Sequence, residues 1–222
     1  MEQPIECLGF RIYTNPDDDT VSRHIEASKM WEPRATAILR ESLKVGDIFI
    51  DAGAHIGYYS LLAASLGATV YAFEPSGNNF QYLMKNIILN GFKQIYPFRC
   101  ALWDKNGWLV LGEILIGNTA DSRVHLRREE DTQPTMVQGL ALDDLFPPPF
   151  QADWIKIDCQ GTDHFVLKGA LNLIGRSPNI RLLVEEEGGF DYGALYQDLG
   201  LCEAEYLAGD SQHLILRDGQ TL

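Results

Sequence analysis

Three clusters hold the residues able to do chemistry: Asp51 to Gly57 (DAGAHIG), Glu74-Pro75, and Asp158-Cys159-Gln160-Gly161 with His164 six residues past Asp158. At the first, the apolar run VGDIFI leads in and IGYYSLLAASLG follows, so the order is strand, glycine loop, helix. A strand end facing a helix N-terminus offers unpaired backbone N–H groups and a positive dipole end, which suit an anionic or polar cofactor tail. A side chain at Gly53 would block close approach of a ligand to that backbone. Dinucleotide sites want G-x-G-x-x-G, and alignment on Gly57 puts Ala52 and Ala54 where the first two glycines belong. The spacing D-x-G-x-x-x-G instead lets Asp51, at the strand end, accept a bond from an ammonium group while Gly53 leaves room for a methionine moiety. Glu74 lies 21 residues after Gly53, at the end of ATVYAF. An acid at that distance accepts the hydroxyls of a nucleoside ribose.

These clusters must be carried by alternating strands and helices. LGFRIYT within Ile5 to Thr14 reads as a short hairpin, and Asn15 to Asp19 as a turn able to cap a following helix. Helical spacing covers Val21 to Ala27 and Pro33 to Leu43, with Trp31-Glu32-Pro33 between them, as a packed helix start or a segment closing over the cofactor. Ile56 to Leu66 is expected to be an amphipathic helix, Ala68 to Phe73 a strand, Asn78 to Asn90 a helix, and Gln94 to Leu102 a third strand. Pro97 gives that last strand an edge position. Trp108 to Leu111 and Thr135 to Leu140 read as strands of an excursion around the polar segment Gly117 to Arg123, a place for specificity. Leu142 to Phe146 reads as a short helix before Pro147-Pro148-Pro149. ADWIKI then forms a core strand ending at Asp158, and one helix is expected from Thr162 to near Gly175. Ile180 to Val184 is a buried strand ending in Glu185-Glu186-Glu187. A helix near Tyr192 to Leu199 and strands Cys202 to Leu207 and His213 to Arg217 close the chain. In an open parallel sheet ligands sit beyond the carboxyl ends of the strands, so Asp51, Glu74, Asp158 and Gln160 should face one crevice.

Composition narrows the function classes. With 222 residues, 45% hydrophobic and 22% charged, the chain fits one ordinary globular domain, a hairpin and helical cap over 1–44 belonging to the same unit as a core over 45–222. A net charge of −13 argues against a nucleic-acid backbone or an anionic membrane as partner. The dense basic run, Arg123 to Arg128, meets Glu129, Glu130 and Asp131 at once and reads as a solvated turn. Cys7, Cys100, Cys159 and Cys202 lack metal or redox spacing and are expected to be reduced and buried. MEQPIECLGF has no signal-peptide pattern and no apolar run reaches membrane-spanning length, so cytoplasm is the expected compartment.

The ordered set VGDIFIDAGAHIGYYSLLAASLGATVYAFEPSGNNFQYLMKNIILNG, ALWDKNG, LALDDL, DWIKIDCQGTDHFVLKGA and LLVEEE resembles the FkbM family of S-adenosylmethionine-dependent methyltransferases. The resemblance takes in IYTNPDDDTVSRHI and Trp31-Glu32-Pro33 upstream. It implies an α/β fold, a Rossmann-like class I methyltransferase with a seven-stranded, mostly parallel sheet, an antiparallel last strand and helices on both faces. It also implies S-adenosylmethionine as cofactor and methyl transfer to an oxygen, or less often a nitrogen, of a sugar, polyketide, peptide or related small molecule. By resemblance, Asp51, Gly53, Ala54, His55 and Gly57 form the cofactor loop, Glu74 with Pro75 the ribose site, Ala101 and Leu102 the wall beside adenine, and Asp158 the active-site strand end.

The chain departs from the family at His55, where the loop usually reads GANIG, and at Gln160, where D-x-E-G-x-E is usual. An amide cannot serve as a general base, so proton removal from the acceptor falls to Asp158 or to His164 near the helix start, with Glu185 behind them and Gln160 hydrogen-bonding the acceptor. No ligand spacing calls for a metal. The expectation is an O-methyltransferase acting on a small-molecule or natural-product acceptor, without nucleic acid or membrane. N-methylation of a peptide or amide, a non-catalytic S-adenosylmethionine-binding module and a nicotinamide dehydrogenase are the competing readings.

Overall fold

A computed structural model describes residues 3–112, 117–119, 122–126, 135–186 and 189–221. The front end is the hairpin β1 (Ile5–Glu6) and β2 (Arg11–Ile12), then α1 (Val21–Ser28) and α2 (Pro33–Ser42). The Asn15 to Asp19 turn caps as expected, for Asp18 accepts the Thr20 and Ser22 amides at 3.2 and 2.7 Å. Then come β3 (Ile48–Ala52), α3 (Tyr58–Ser65), β4 (Thr69–Phe73), α4 (Gly77–Asn90), β5 (Ile95–Phe98), β6 (Ala101–Leu102) and β7 (Gly107–Gly112). β8 (Arg123–His125), β9 (Thr135–Leu140), α5 (Leu142–Leu145), β10 (Trp154–Ile157), α6 (Asp163–Lys168) and α7 (Leu171–Arg176) follow. The chain closes with β11 (Arg181–Val184), α8 (Tyr192–Asp198), β12 (Leu201–Leu207) and β13 (Gln212–Arg217).

Seven strands form one sheet in the order β12-β13-β11-β10-β3-β4-β5. The run from β11 to β5 is parallel, while β13 is antiparallel to both its neighbours. This is the expected Rossmann-like sheet with its reversed last strand. β5 is an edge, where Pro97 forfeits no interior ladder bond. Side-chain alternation splits the core. Phe49, Val70, Trp154 and Leu183 face α1 to α4, whereas Ile50, Phe73, Ile155 and Leu182 face the layer that includes α6 to α8.

Four expectations need correction. The third strand is not continuous: it breaks at Arg99-Cys100, and Ala101–Leu102 pairs with β9 in a separate sheet of order β6-β9-β7-β8. Helix α3 is not amphipathic, since Tyr58 to Ala64 are all buried, with the sheet on one side and α2 and Phe10 on the other. The helix expected from Thr162 is two, because Gly169 lies against Trp103, where a Cβ would stand 2.0 Å from the backbone oxygen. Asp143 caps the second of these, accepting the Asn172 and Leu173 amides at 2.9 and 2.7 Å. All four cysteines are free thiols, but only Cys100 is buried, Cys7 and Cys159 being half-buried and Cys202 exposed. Arg127 to Asp131, Ala120, Asp121 and Glu187 lie outside the described residues. Among the described residues no helix is long and apolar enough to cross a membrane.

Candidate active site

Beyond the carboxyl ends of β3, β4 and β10 lies a cavity of about 570 Å³. Gly53, Ala54, His55, Glu74, Pro75, Ala101, Leu102, Asp158 and Gln160 all line it. The N-terminal segment closes one side through Thr20, His24, Trp31 and Glu32, and the excursion adds Asn118 and Ser122. The two caps are tied together, since Asp19 donates to the Gly117 carbonyl at 2.7 Å and Gly117 to the Asp17 carbonyl at 2.8 Å.

Asp51, Gly57 and His164 are not among the lining residues. Asp51 is wholly buried beneath the loop, with Oδ2 accepting the Ser60 hydroxyl at 2.6 Å. Its Oδ1 faces the Lys156 ammonium at 4.0 Å. Gly57, at φ 96°, packs on Leu83, whose Cδ1 would lie 2.7 Å from an added Cβ. His164 stacks on Phe190 at 4.8 Å, and burial pushes its imidazole pKa down. Gly53 does line the cavity, yet what forbids a side chain there is protein: a Cβ would stand 1.9 Å from the Asp158 carbonyl oxygen.

Glu74 is held in place by two backbone amides. Its Oε2 accepts the His55 amide and its Oε1 the Ser76 amide, both at 2.8 Å, leaving further lone pairs toward the cavity. Burial pushes this carboxyl up to about 7, against the pull of those two amides. His55, in the left-handed region at φ 52°, turns its ring away to the excursion, with Nε2 at 3.1 Å from the Thr119 hydroxyl. Burial drives its pKa down to about 4, so it is a neutral anchor.

The residue that sequence reasoning missed is Lys156. Register pairs it with Asp51, and its Nζ lies 3.0 Å from Asp158 Oδ2 and 3.2 Å from the Gly53 carbonyl. Burial disfavours the ammonium, yet Asp158, Asp51 and Glu32 together hold its pKa above the ordinary lysine range. Burial likewise pushes the Asp158 carboxyl up, but the Lys156 ammonium and side-chain hydrogen bonds, the Gln160 amide's among them, outweigh it, so its pKa is lowered. Gln160, at φ 53°, donates from one amide nitrogen to Asp158 Oδ1 at 2.9 Å and to Glu185 Oε2 at 3.0 Å. The amide therefore joins two carboxylates where a third would repel them. Asp163 ties the loop below by accepting the Cys159 and Gly161 amides at 2.8 and 3.1 Å, and burial raises its carboxyl to about 7.

These shifts fix the sign of a pH effect. Glu74 and Asp163, near 7, and Glu32, pushed up to about 8 by burial and Asp158, keep protons that the unfolded chain has lost above about pH 5. Where the folded state binds more protons, stability falls as pH rises. His55 opposes this only below the ordinary histidine range, where the unfolded chain alone is protonated. Urea denaturation should therefore give a lower unfolding free energy at about pH 8.5 than at about pH 6.5, by roughly 1 kcal/mol or more. Equal stability at the two pH values would contradict these assignments.

Among the described residues the group that brings three potential metal ligands within 4.8 Å is Glu186, Glu203 and His213, none of which lines the cavity.

Solved methyltransferases share the fold. A precorrin-6y C5,15-methyltransferase from Geobacter metallireducens superposes with a TM-score of 0.50 at 11% identity, covering 92% of each chain. A 16S rRNA methyltransferase from T. thermophilus gives 0.55 at 13%, covering 97% of this chain and 49% of that one. A tRNA methyltransferase from M. jannaschii gives 0.50 at 13%, covering 96% and 54%. The chain thus spans about half the length of the two RNA enzymes, and at these identities the likeness is one of fold. A search of curated protein sequences found no match. The methyltransferase FkbM domain model matches residues 51–207, which carry the β3, β4 and β10 ends that build the cavity, and the chain belongs to that family of S-adenosylmethionine-dependent methyltransferases.

Proposed function

We propose that this enzyme methylates a hydroxyl of a small, polar acceptor, a sugar or a hydroxylated natural product, in the cytoplasm, with residues 1–44 acting as a cap on the core of 45–222. The observation that carries the reading is the division of the cavity. On the β4 and β5 side stand Phe73, Glu74, Ala101 and Leu102, an acid between apolar walls that fits the ribose and base of S-adenosylmethionine. On the β10, β11 and β13 side stand Asp158, Gln160, Glu185 and Asp210, with Trp31 and Glu32 beside them. Carboxylates and amides pair with hydroxyls, and an aromatic face packs on the apolar face of a sugar ring. An RNA backbone would instead bring phosphates to a carboxylate-rich wall on a chain of net charge −13.

Bound S-adenosylmethionine supplies a methyl group already activated on its sulfonium. The chain's own part is alignment. Asp158, kept ionised by Lys156 and aimed by Gln160, accepts a hydrogen bond from a neighbouring hydroxyl of the acceptor and so fixes the acceptor's orientation. Glu74 holds the ribose, so Glu74→Ala is expected to weaken S-adenosylmethionine binding by about 1.5–3 kcal/mol in calorimetry, the worth of hydrogen bonds to a charged group. An unchanged dissociation constant in a folded variant would remove the ribose assignment. The reaction class is tested by adenosylhomocysteine formation across methyl glycosides, hydroxylated macrolactones, peptides and RNA. Turnover is expected with the hydroxylated small molecules, and turnover with peptide or RNA alone would overturn it.

A further inference from the structure

The structure assigns a further catalytic residue, resting on the hydroxyl-acceptor reading above: we propose that the Glu32 carboxylate takes the acceptor's proton. Asp158 is poorly suited to that step, because Lys156 at 3.0 Å and the Gln160 amide at 2.9 Å stabilise its charge and weaken it as a base. Glu32 stands on the same cavity wall, and among the described residues no salt bridge holds it, the Lys156 ammonium acting on it only through space. Its oxygens are steered by neutral donors: the Tyr59 hydroxyl donates to Oε2, and the Gln212 amide reaches Oε1 at 3.4 Å. A carboxylate so held keeps lone pairs for one more donor.

The backbone points the same way. Glu32 has φ 40° and ψ 80°, a left-handed conformation on a non-glycine residue directly before Pro33. A following proline favours extended backbone, so the conformation is strained, and strain of this kind persists where surrounding contacts hold a residue for use. Here the contacts are visible: Ala35 donates its amide to Asp210 at 2.7 Å, and the Thr36 hydroxyl donates to the Trp31 carbonyl at 2.6 Å, pinning the chain on both sides of Glu32.

In the step, the acceptor oxygen forms its bond to the methyl carbon as the sulfur–methyl bond breaks. The bonding pair stays on sulfur, giving adenosylhomocysteine. The hydroxyl proton passes to Glu32 and from there to solvent. The groups facing Glu32 are Lys156 on β10, Asp158 just past its end, Tyr59 on α3, and Asp210 before β13. Burial and Asp158 raise its carboxyl to about 8, Lys156 and the Tyr59 hydroxyl pulling the other way, so its proton affinity suits a base near neutral pH.

The test uses the whole chain as wild type, Glu32→Gln and Tyr59→Phe. Carbon-13 NMR of the ligand-free protein should show a glutamate carboxyl titrating at about 8, absent in Glu32→Gln and moved to higher pH in Tyr59→Phe, which loses the donor to Oε2. With the best acceptor of a methyl glycoside panel, Glu32→Gln should lower kcat by about 10²-fold or more, with adenosylhomocysteine affinity intact. The rise of kcat with pH through about 8 should disappear in Glu32→Gln and shift upward in Tyr59→Phe. A Glu32 midpoint in the ordinary carboxyl range, or a Glu32→Gln variant with wild-type kcat and pH profile, would overturn the assignment. A wild type that methylates no hydroxyl would instead refute the acceptor reading, while the NMR midpoint would still decide for or against Glu32.

Discussion

Lys156→Met should cost the fold about 3–5 kcal/mol, the loss expected when one partner leaves a buried charge network. Lys156 is 4% exposed, Asp51 not at all, and Asp158 20%, so little solvent would take over the role of the ammonium. Without it, Asp51 and Asp158, which share this ammonium, are left uncompensated, with Glu32 also within its reach. The variant should protonate one of these acids at neutral pH, and adding Asp51→Asn to it should restore part of the stability by removing a stranded charge. Urea denaturation of the two variants measures both effects. A Lys156→Met protein as stable as the wild type would show that the network is not what fixes the strand ends.

The second large effect is expected at Gly53. Alanine there would need φ 78° and would place its Cβ 1.9 Å from the Asp158 carbonyl oxygen, a backbone atom that cannot swing aside. The left-handed conformation alone costs about 1–2 kcal/mol. Relief of the clash must move the β3 loop away from the Asp158 loop, displacing the Ala54 and His55 backbone from the cavity wall. Gly53→Ala is expected to lose roughly 3 kcal/mol or more in urea denaturation and to bind S-adenosylmethionine at least about tenfold more weakly in calorimetry, each tenfold being 1.4 kcal/mol. A variant with native stability and affinity would mean that the two loops can part without consequence.

Gly53 also shows how far the sequence could be read. That position 53 needs a glycine was legible from the strand-loop-helix pattern, but not the reason. The pattern suggested a ligand, whereas the obstacle is the end of β10, more than a hundred residues away in sequence and adjacent only once the sheet forms. Glu74 was legible because it ends a strand next to the loop, so local order alone places it. Asp51 carried the opposite risk: an acid at a strand end reads as a ligand contact, yet alternation aims it inward, at Ser60 and Lys156.

Lys156 was passed over because WIKI is buried along its whole length, which leaves no apolar–polar alternation to mark its direction. A lone lysine within an otherwise apolar strand, one residue before the strand-end acid's neighbour, was the signal available. His164 looked catalytic from its distance to Asp158, but the tight turn at Gln160 and Gly161, both at positive φ, sends α6 away from the cavity. The break between α6 and α7 could not be inferred from Gly169 alone, because it depends on contact with Trp103. The sequence leaves Trp31-Glu32-Pro33 between packing and closure, and its place on the cavity wall follows from the docking of α2 near Asp210.

The central claim, methyl transfer to a small hydroxylated acceptor at the carboxyl ends of β3, β4 and β10, is tested most directly in one vessel. The protein is incubated with S-adenosylmethionine bearing a deuterated methyl group, a methyl glycoside panel, a peptide mixture and total RNA, and every product is weighed by mass spectrometry. The expected result is the labelled methyl as an ether on a glycoside oxygen, with RNA and peptide unlabelled and less label in Glu74→Ala at S-adenosylmethionine concentrations that do not saturate it. Label on an RNA base or a peptide nitrogen, with none on the glycosides, would contradict it.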